Sequence, residues 1–225
     1  MKIQLLSDIH LEFYADNGDT FFAAYNDAKT EEPDVLVLAG DICAASKIAD
    51  TLKRFRAAQP RADIVYIPGN HEYYGHTRRE VRRALGNFGK VKGMHVGEQV
   101  IASISGTRFV ACTLWFPPPV FANKSELNDY HHIRDFSTWN ELLNEQHVEF
   151  LTRNVYEDTV VVTHHLPTAR SVTPQYTGSA FNEFFVCPMD DLIRSRHPSL
   201  WVHGHTHHPV AYHYNGYTDI ACNPI

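Results

Sequence analysis

The sequence predicts an α/β protein built on a central pair of mixed β-sheets with helices on the outside. Three observations predict it. Short β-branched and Leu-rich runs recur at Ile3–Leu6, Val35–Ala39, 64–67 and Val160–Thr163, each closed by Gly, Asn, Asp or His. Runs of that length and makeup read as strands buried on both faces. Between them lie segments with helical spacing, and further along come hairpin signals.

Taken in order, Ile48, Leu52 and Phe55 repeat at i, i+4, i+7 on a helix that Pro60 closes. Val81, Leu85 and Phe88 mark a second helix, and Leu143, His147, Val148 and Leu151 a third. The first third therefore reads β-α-β-α. Segments 101–105 and 108–114 flank Gly106, a modest hairpin signal. Segments 210–214 and 217–221 flank Asn215-Gly216, a strong two-residue turn signal. The stretch 116–136 fits least well, with Pro117-Pro118-Pro119 followed by a polar, aromatic tract of little periodicity. A long irregular insertion in a compact chain is more often functional than idle. We expect one domain over 1–225, with this insertion overhanging a site.

Composition sets further bounds. The 225 residues can bury a substantial core without disulfides. A formal charge of −6, from 20 basic and 26 acidic residues, lacks the footprint of a general nucleic-acid binder. Cys43, Cys112, Cys187 and Cys222 form no C-x-x-C pair and read as reduced, buried thiols. No signal peptide or run of ~20 apolar residues is present, so a cytoplasmic protein without membrane partners is expected. Fifteen histidines, none in a tag-like run, raise metal binding early.

The chemistry sits at the strand ends. The first strand is followed by Asp8-Ile9-His10, the second by Gly40-Asp41, and the third by Gly69-Asn70-His71-Glu72. Later come Thr163-His164-His165 and, after Leu200-Trp201-Val202, His203-Gly204-His205-Thr206-His207-His208. In an α/β sheet the carboxyl ends of strands share one edge, so residues far apart in sequence can converge. Carboxylate, imidazole and amide oxygen without thiolate suit Mn, Fe, Zn or Ni. On extended segments, Asp8-x-His10 and His205-x-His207 would each point two side chains to one side. With one Asp bridging, such a set can hold two ions about 3.5–4 Å apart. Each fragment alone has an ordinary explanation as a turn or a hydrogen-bonded pair; their ordered recurrence does not.

In that order, Asp8-x-His10, Gly40-Asp41, Gly69-Asn70-His71-Glu72, His164 and Gly204-His205-x-His207 resemble the five-block signature of the calcineurin-like metallophosphoesterases. Thr113-Leu114-Trp115, Asn128-Asp129-Tyr130, Thr163-His164-His165-Leu166-Pro167 and Asn223-Pro224 further resemble the small stand-alone bacterial-type members. The resemblance implies a four-layer α/β/β/α sandwich and a phosphomonoester or phosphodiester hydrolase with two divalent metals, Mn first. It implies Asp8, His10 and His207 on one metal, Asn70, His164 and His205 on the other, and Asp41 bridging. It also implies attack by a metal-bridging hydroxide, with His71 protonating the leaving group. Glu72 is either an orienting residue or a solvated acid at a helix start.

One departure bears on substrate. Where the protein Ser/Thr phosphatase branch carries an Asp that orients the catalytic His and an Arg that clamps phosphate, this chain reads Cys43-Ala44-Ala45. That disfavours a phosphoprotein phosphatase and fits a small phosphorylated or phosphodiester substrate. Rival readings are a nucleotide pyrophosphatase and a non-catalytic scaffold of the same fold; the second should show broken ligands, and none is broken here. Arg78, Arg79, Arg82 and Arg83 have their ordinary explanation as a solvated helix face, the alternative being substrate steering. His131 and His132 reach over the site or lie on the surface, and His165 and His208 should point away from the metals.

Overall fold

The structure, a computed structural model, describes residues 1–28 and 31–225. Strands β1 (Ile3–Leu6), β2 (Val35–Ala39), β3 (Asp63–Ile67) and β4 (Met94–Val96) form one sheet in sequential order, parallel throughout. The connections are helical crossovers, α1 (Asp19–Ala28), α2 (Ile48–Ala58) and α3 (Arg78–Gly86), and a crossover of that length makes neighbours parallel. Strands β5 (Gln99–Ile104), β6 (Thr107–Cys112), β7 (Val160–Thr163), β8 (Leu200–His203), β9 (Val210–His213) and β10 (Asp219–Cys222) form the second sheet. Its order is β5-β6-β7-β8-β10-β9, mixed, with antiparallel pairs at both edges.

Side chains alternate across each strand, and that alternation divides the core into three. Val35, Val37, Ala39, Val65 and Ile67 meet Phe109, Ala111, Val160, Val162 and Val202 between the sheets. Leu36, Leu38, Ile64 and Tyr66 pack in the outer cluster that includes Phe22, Phe55 and Val81 from α1, α2 and α3. On the other side, Val110, Val161 and Trp201 pack with Leu151 of α5 (Asn140–Asn154) and Leu192 and Ile193 of α6 (Asp190–Arg196). The layers therefore run helices, sheet, sheet, helices.

Local signals account for most boundaries. Thr77 and Glu80 make a reciprocal capping box at the start of α3. Ser105 and Gly106, both at positive φ, close the β5–β6 hairpin as a two-residue turn. The Asn215-Gly216 expectation is corrected. His213 pairs with Asp219, leaving a five-residue loop in which only Gly216 has positive φ. Asn215 Oδ1 instead accepts from the Tyr217 and Thr218 amides, a local bond that competes with the tight turn. Strand β1 is less buried than expected because it is a sheet edge. The stretch 116–136 holds only two short helical turns, at Lys124–Glu126 and α4 (Asp129–His132), before another begins at Phe136. The four cysteines are free and buried. Among the described residues, no helix is long and apolar enough to cross a membrane.

Glu72 fastens the ends of β2 and β3 together. Its carboxylate is wholly buried and accepts from the amides of Asp41 (3.0 Å), Ile42 (2.9 Å) and Gly69 (2.7 Å) and from the Tyr66 hydroxyl (2.8 Å). It is an orienting residue, not a solvated acid. Burial and the nearby Asp41 charge push its pKa up to about 7, opposed by these donors. An amide in its place turns an NH2 toward two donors that then lack an acceptor. Glu72→Gln should therefore destabilise the fold by about 2–4 kcal/mol in urea unfolding; a loss below about 1 kcal/mol would contradict this role for the carboxylate.

Candidate metal centre

The turns after β1, β2, β3, β7 and β8 meet at one edge, and backbone hydrogen bonds lace them together. Asp8 N donates to Gly40 O (3.1 Å), His10 N to Asp41 O (3.0 Å), and Gly204 N to His164 O (3.0 Å). Side chains cannot intrude at the crossing. A Cβ on Gly69 would stand 2.7 Å from Asp41 N and 2.6 Å from His164 Cε1. Gly40 adds a positive φ of 85°.

All seven expected ligands and His71 converge here. Donor atoms of Asp8, His10, Asp41 and His207 lie within 4.8 Å of one another, as do those of Asp41, His164 and His205, so Asp41 belongs to both groups. Asp41 Oδ2 is 3.3 Å from His164 Nε2 and 3.9 Å from His10 Nε2. Its other oxygen accepts from the His71 amide at 2.8 Å. Asn70 Oδ1 is 3.0 Å from His164 Nε2, which joins Asn70 to the second group. Asp8 accepts from the His205 amide (2.9 Å), and its Oδ1 is 3.6 Å from His207 Nε2.

The convergence does not use extended backbone, as the i, i+2 reading assumed. Asp8 (φ 54°), His10 (53°), Asp41 (55°), His205 (69°) and His207 (48°) all lie in the left-handed region. Successive tight reversals aim the side chains inward. Non-glycine residues there cost about 1 kcal/mol or more each, and such strain gathers at functional sites.

The donor set fits divalent cations. His205 Nε2 is buried without a hydrogen-bond partner among the described residues, although it sits beside Asp41 and His164. His164 Nδ1 contacts Ala39 O at 2.9 Å and His10 Nδ1 contacts Glu12 Oε1 at 3.1 Å, which leaves each Nε2 facing the cluster. Second partners of this kind orient ligating imidazoles. Electrostatics agree. Burial raises the Asp8 pKa. Burial also opposes ionisation of Asp41, but His164 overrides it and holds that carboxyl well below the usual range. Burial would lower His164, yet Asp41 lifts it to about 9. His205 is depressed by burial and by the neighbouring His165 and His164. The cluster concentrates negative charge that a proton on His164 balances, and a metal ion competes for the same place.

Glu12 escaped sequence reasoning, and Asp129, noted only within Asn128-Asp129-Tyr130, had no role assigned. Glu12 stands between His10 and His71, with Oε1 2.9 Å from His71 Nδ1. It supplies the carboxylate that Cys43-Ala44-Ala45 lacks; the signal was its place two residues beyond His10. Burial opposes ionisation of Glu12, but hydrogen bonds to His10 and His71 bring its pKa to about 2. Reciprocally, burial would lower His71, while Glu12 and Asp41 raise it. Buried Asp129 accepts from Asn70 Nδ2 (2.9 Å) and the Tyr74 hydroxyl (2.8 Å), turning the Asn70 oxygen toward His164. Tyr74 in turn stacks on His71, with ring centres 4.2 Å apart.

The remaining candidates stay outside. His131 contacts Ser125 O, and His132 lies against Tyr74. His165 is buried against Trp115 and Thr113 O, and His208 is exposed. Arg78 grips Glu98 through two bonds, with Arg82 at 3.5 Å, while Arg79 and Arg83 are exposed.

Comparisons with known proteins agree with this geometry. The chain is 27% identical over 266 residues to the uncharacterized protein L509 of Acanthamoeba polyphaga mimivirus, covering 99% of this chain and 90% of that protein. A 78-residue stretch is 38% identical to a transmembrane protein with metallophosphoesterase domain from Bos taurus, covering 33% of this chain and 17% of the relative. Among solved structures, the fold resembles the phosphopantetheinyl hydrolase of Mycobacterium tuberculosis, with TM-score 0.66, 16% identity, and 100% of this chain and 89% of that one covered. It also resembles a dimetal phosphatase from Danio rerio, with TM-score 0.59, 16% identity, and coverage of 99% and 86%. A family model for calcineurin-like phosphoesterases matches residues 1–209, and with the metal-binding arrangement at the strand ends this chain belongs to that family.

Proposed function

We propose that the protein hydrolyses phosphomonoesters or phosphodiesters of small molecules at the centre joined by Asp41. The observation that carries this reading is the membership of Asp41 in two donor groups, Asp8/His10/His207 and His164/His205 with Asn70 beside them. Two divalent cations held by those residues, Mn²⁺ first and Fe, Zn or Ni as alternatives, would cancel phosphate charge and strengthen a water nucleophile near neutral pH.

The chain's own residues then have defined tasks. Asp8 and Asp41 supply the charge that binds cations. Glu72 and Asp129 act through others, holding the Asp41 turn and the Asn70 amide. With Nδ1 bonded to Glu12, His71 keeps Nε2 for an oxygen of the substrate. In hydrolysis the water oxygen bonds to phosphorus and gives up one proton to solvent, the P–O ester bond breaks, and the departing alkoxide takes the Nε2 proton, which solvent later replaces. The raised pKa of His71 keeps that proton available near neutrality. Intact ligands and an oriented His71 weigh against a non-catalytic scaffold. We read 1–225 as one domain whose segment 116–136, through Asp129, borders the site. Four buried cysteines, none bonded to another, support a reducing compartment such as the cytoplasm.

Chelator treatment should abolish hydrolysis of bis(p-nitrophenyl) phosphate, and Mn²⁺ should restore it; activity that survives chelation would sink the mechanism. Asp41→Asn should weaken Mn²⁺ binding, whereas His71→Ala should keep the metal and lower kcat by roughly 100-fold. Equal metal loss in both variants would contradict the division of roles.

Glu12→Gln removes the charge that favours protonated His71. The proton then leaves at lower pH, so the alkaline limb of the kcat–pH profile should move toward acid, with kcat lower by roughly 10-fold at neutral pH. An unmoved limb would show that Glu12 does not act on His71.

A further inference from the structure

Beside His205 and His207 lies a cavity of about 510 Å³, within the roughly 300–1,000 Å³ of small-molecule sites. Its walls come from the segment between β7 and α6, which folds as three short helical turns at Ala169–Ser171, Pro174–Tyr176 and Ala180–Phe184. Val172, Phe181 and Phe185 give it an apolar surface, and Tyr176 stands at its side. The apolar wall begins at the metal centre itself, since the Phe185 ring centre is 4.5 Å from that of His205. Phe181 and Tyr176 remain 42% and 56% exposed, a large aromatic surface that the fold leaves uncovered.

The charge of this lining is informative. Among the described residues it contains no Asp, Glu, Lys or Arg. The two charged residues of this segment, Arg170 and Glu183, are engaged elsewhere. Arg170 donates to the Tyr214 carbonyl, and Glu183 accepts from the amides of Val120, Phe121 and Ala122. A second phosphate entering here would lose water and find no cationic partner. Thr173, Ser179, Asn182 and Thr206 add only neutral polar groups to the lining, and an uncharged aromatic or alkyl body would gain contact with its apolar wall.

Resting on the phosphoesterase reading, we infer that this cavity takes the alcohol portion of the substrate, an uncharged aromatic or alkyl group esterified to the phosphate held at the His205–His207 side. The substrate class is thus esters of apolar alcohols, not nucleoside polyphosphates, and the pyrophosphatase rival is disfavoured by the same lining.

The test uses Mn²⁺-loaded protein and three non-hydrolysable probes, methylphosphonate, phenylbutylphosphonate and sulfopropylphosphonate. Each is measured by calorimetry and as an inhibitor of bis(p-nitrophenyl) phosphate hydrolysis. Phenylbutylphosphonate should bind at least about 10-fold tighter than methylphosphonate, with a more negative heat-capacity change. Sulfopropylphosphonate, charged at its far end, should show no such gain. In the double variant Val172→Ser with Phe181→Ala the advantage should vanish, and methylphosphonate binding by the same variant reports that the centre is intact. Equal binding of the phenylbutyl and methyl probes, or an advantage that survives in the variant, would overturn the assignment. Absence of both Mn²⁺-dependent hydrolysis and methylphosphonate binding would instead overturn the phosphoesterase reading, and this inference with it.

Discussion

The buried carboxylate of Glu72 is the constraint on which the strand-end architecture depends. It gathers the amides of Asp41, Ile42 and Gly69 and the Tyr66 hydroxyl around one anion. Those amides belong to turns that must carry Asp41 and Asn70 into the centre. The turns are costly in themselves, because five of the seven proposed ligands adopt left-handed backbone. At Asp41, the hydrogen bond to the buried carboxylate counters that strain. Gly40 and Gly69 complete the arrangement by letting two chains cross where any side chain would collide.

Around that anchor, three of the proposed ligands are each held by a partner outside their own donor group. Ala39 O holds His164, Glu12 holds His10, and Asp129 holds Asn70. Glu12 also reaches His71, so one carboxylate couples a proposed metal ligand to the proposed acid. This places orientation and charge tuning on the segment after β1, where the sequence carried no recognised sign of it. The substrate side is correspondingly sparse in cations, with Arg78 and Arg82 committed to Glu98. On the proposed function, phosphate charge would be met chiefly by bound cations, leaving the apolar cavity beyond His205 to select the rest of the molecule.

Much of this was legible because each buried strand announces itself twice, by its apolar run and by the polar residues that end it. Asp8, Asp41, Asn70, His164 and His205 stand out by that rule, and the family resemblance implied their assignment to metals. The reason offered for Asp8-x-His10 and His205-x-His207 was different from the one the structure gives. Alternation on extended chain and successive left-handed turns both bring i and i+2 together, and the letters do not distinguish them. Glu12 reaches His71 and Asp129 reaches Asn70 across 59 residues, and Glu72 reaches Asp41 and Ile42 across 31 and 30; separations of that size hide such roles from local patterns. Asn215-Gly216 misled for the opposite reason, since a local side-chain bond outcompeted the turn its residue types favour.

On the proposed function, Asp41 joins two cation sites in one cluster. The most direct test is to load the metal-free protein with Mn²⁺, remove excess ion, and record the electron paramagnetic resonance spectrum beside the metal content. Two ions should be retained per chain, with the exchange-coupled spectrum of neighbours about 3.5–4 Å apart. A single retained ion, or two with the spectra of isolated Mn²⁺, would contradict this arrangement.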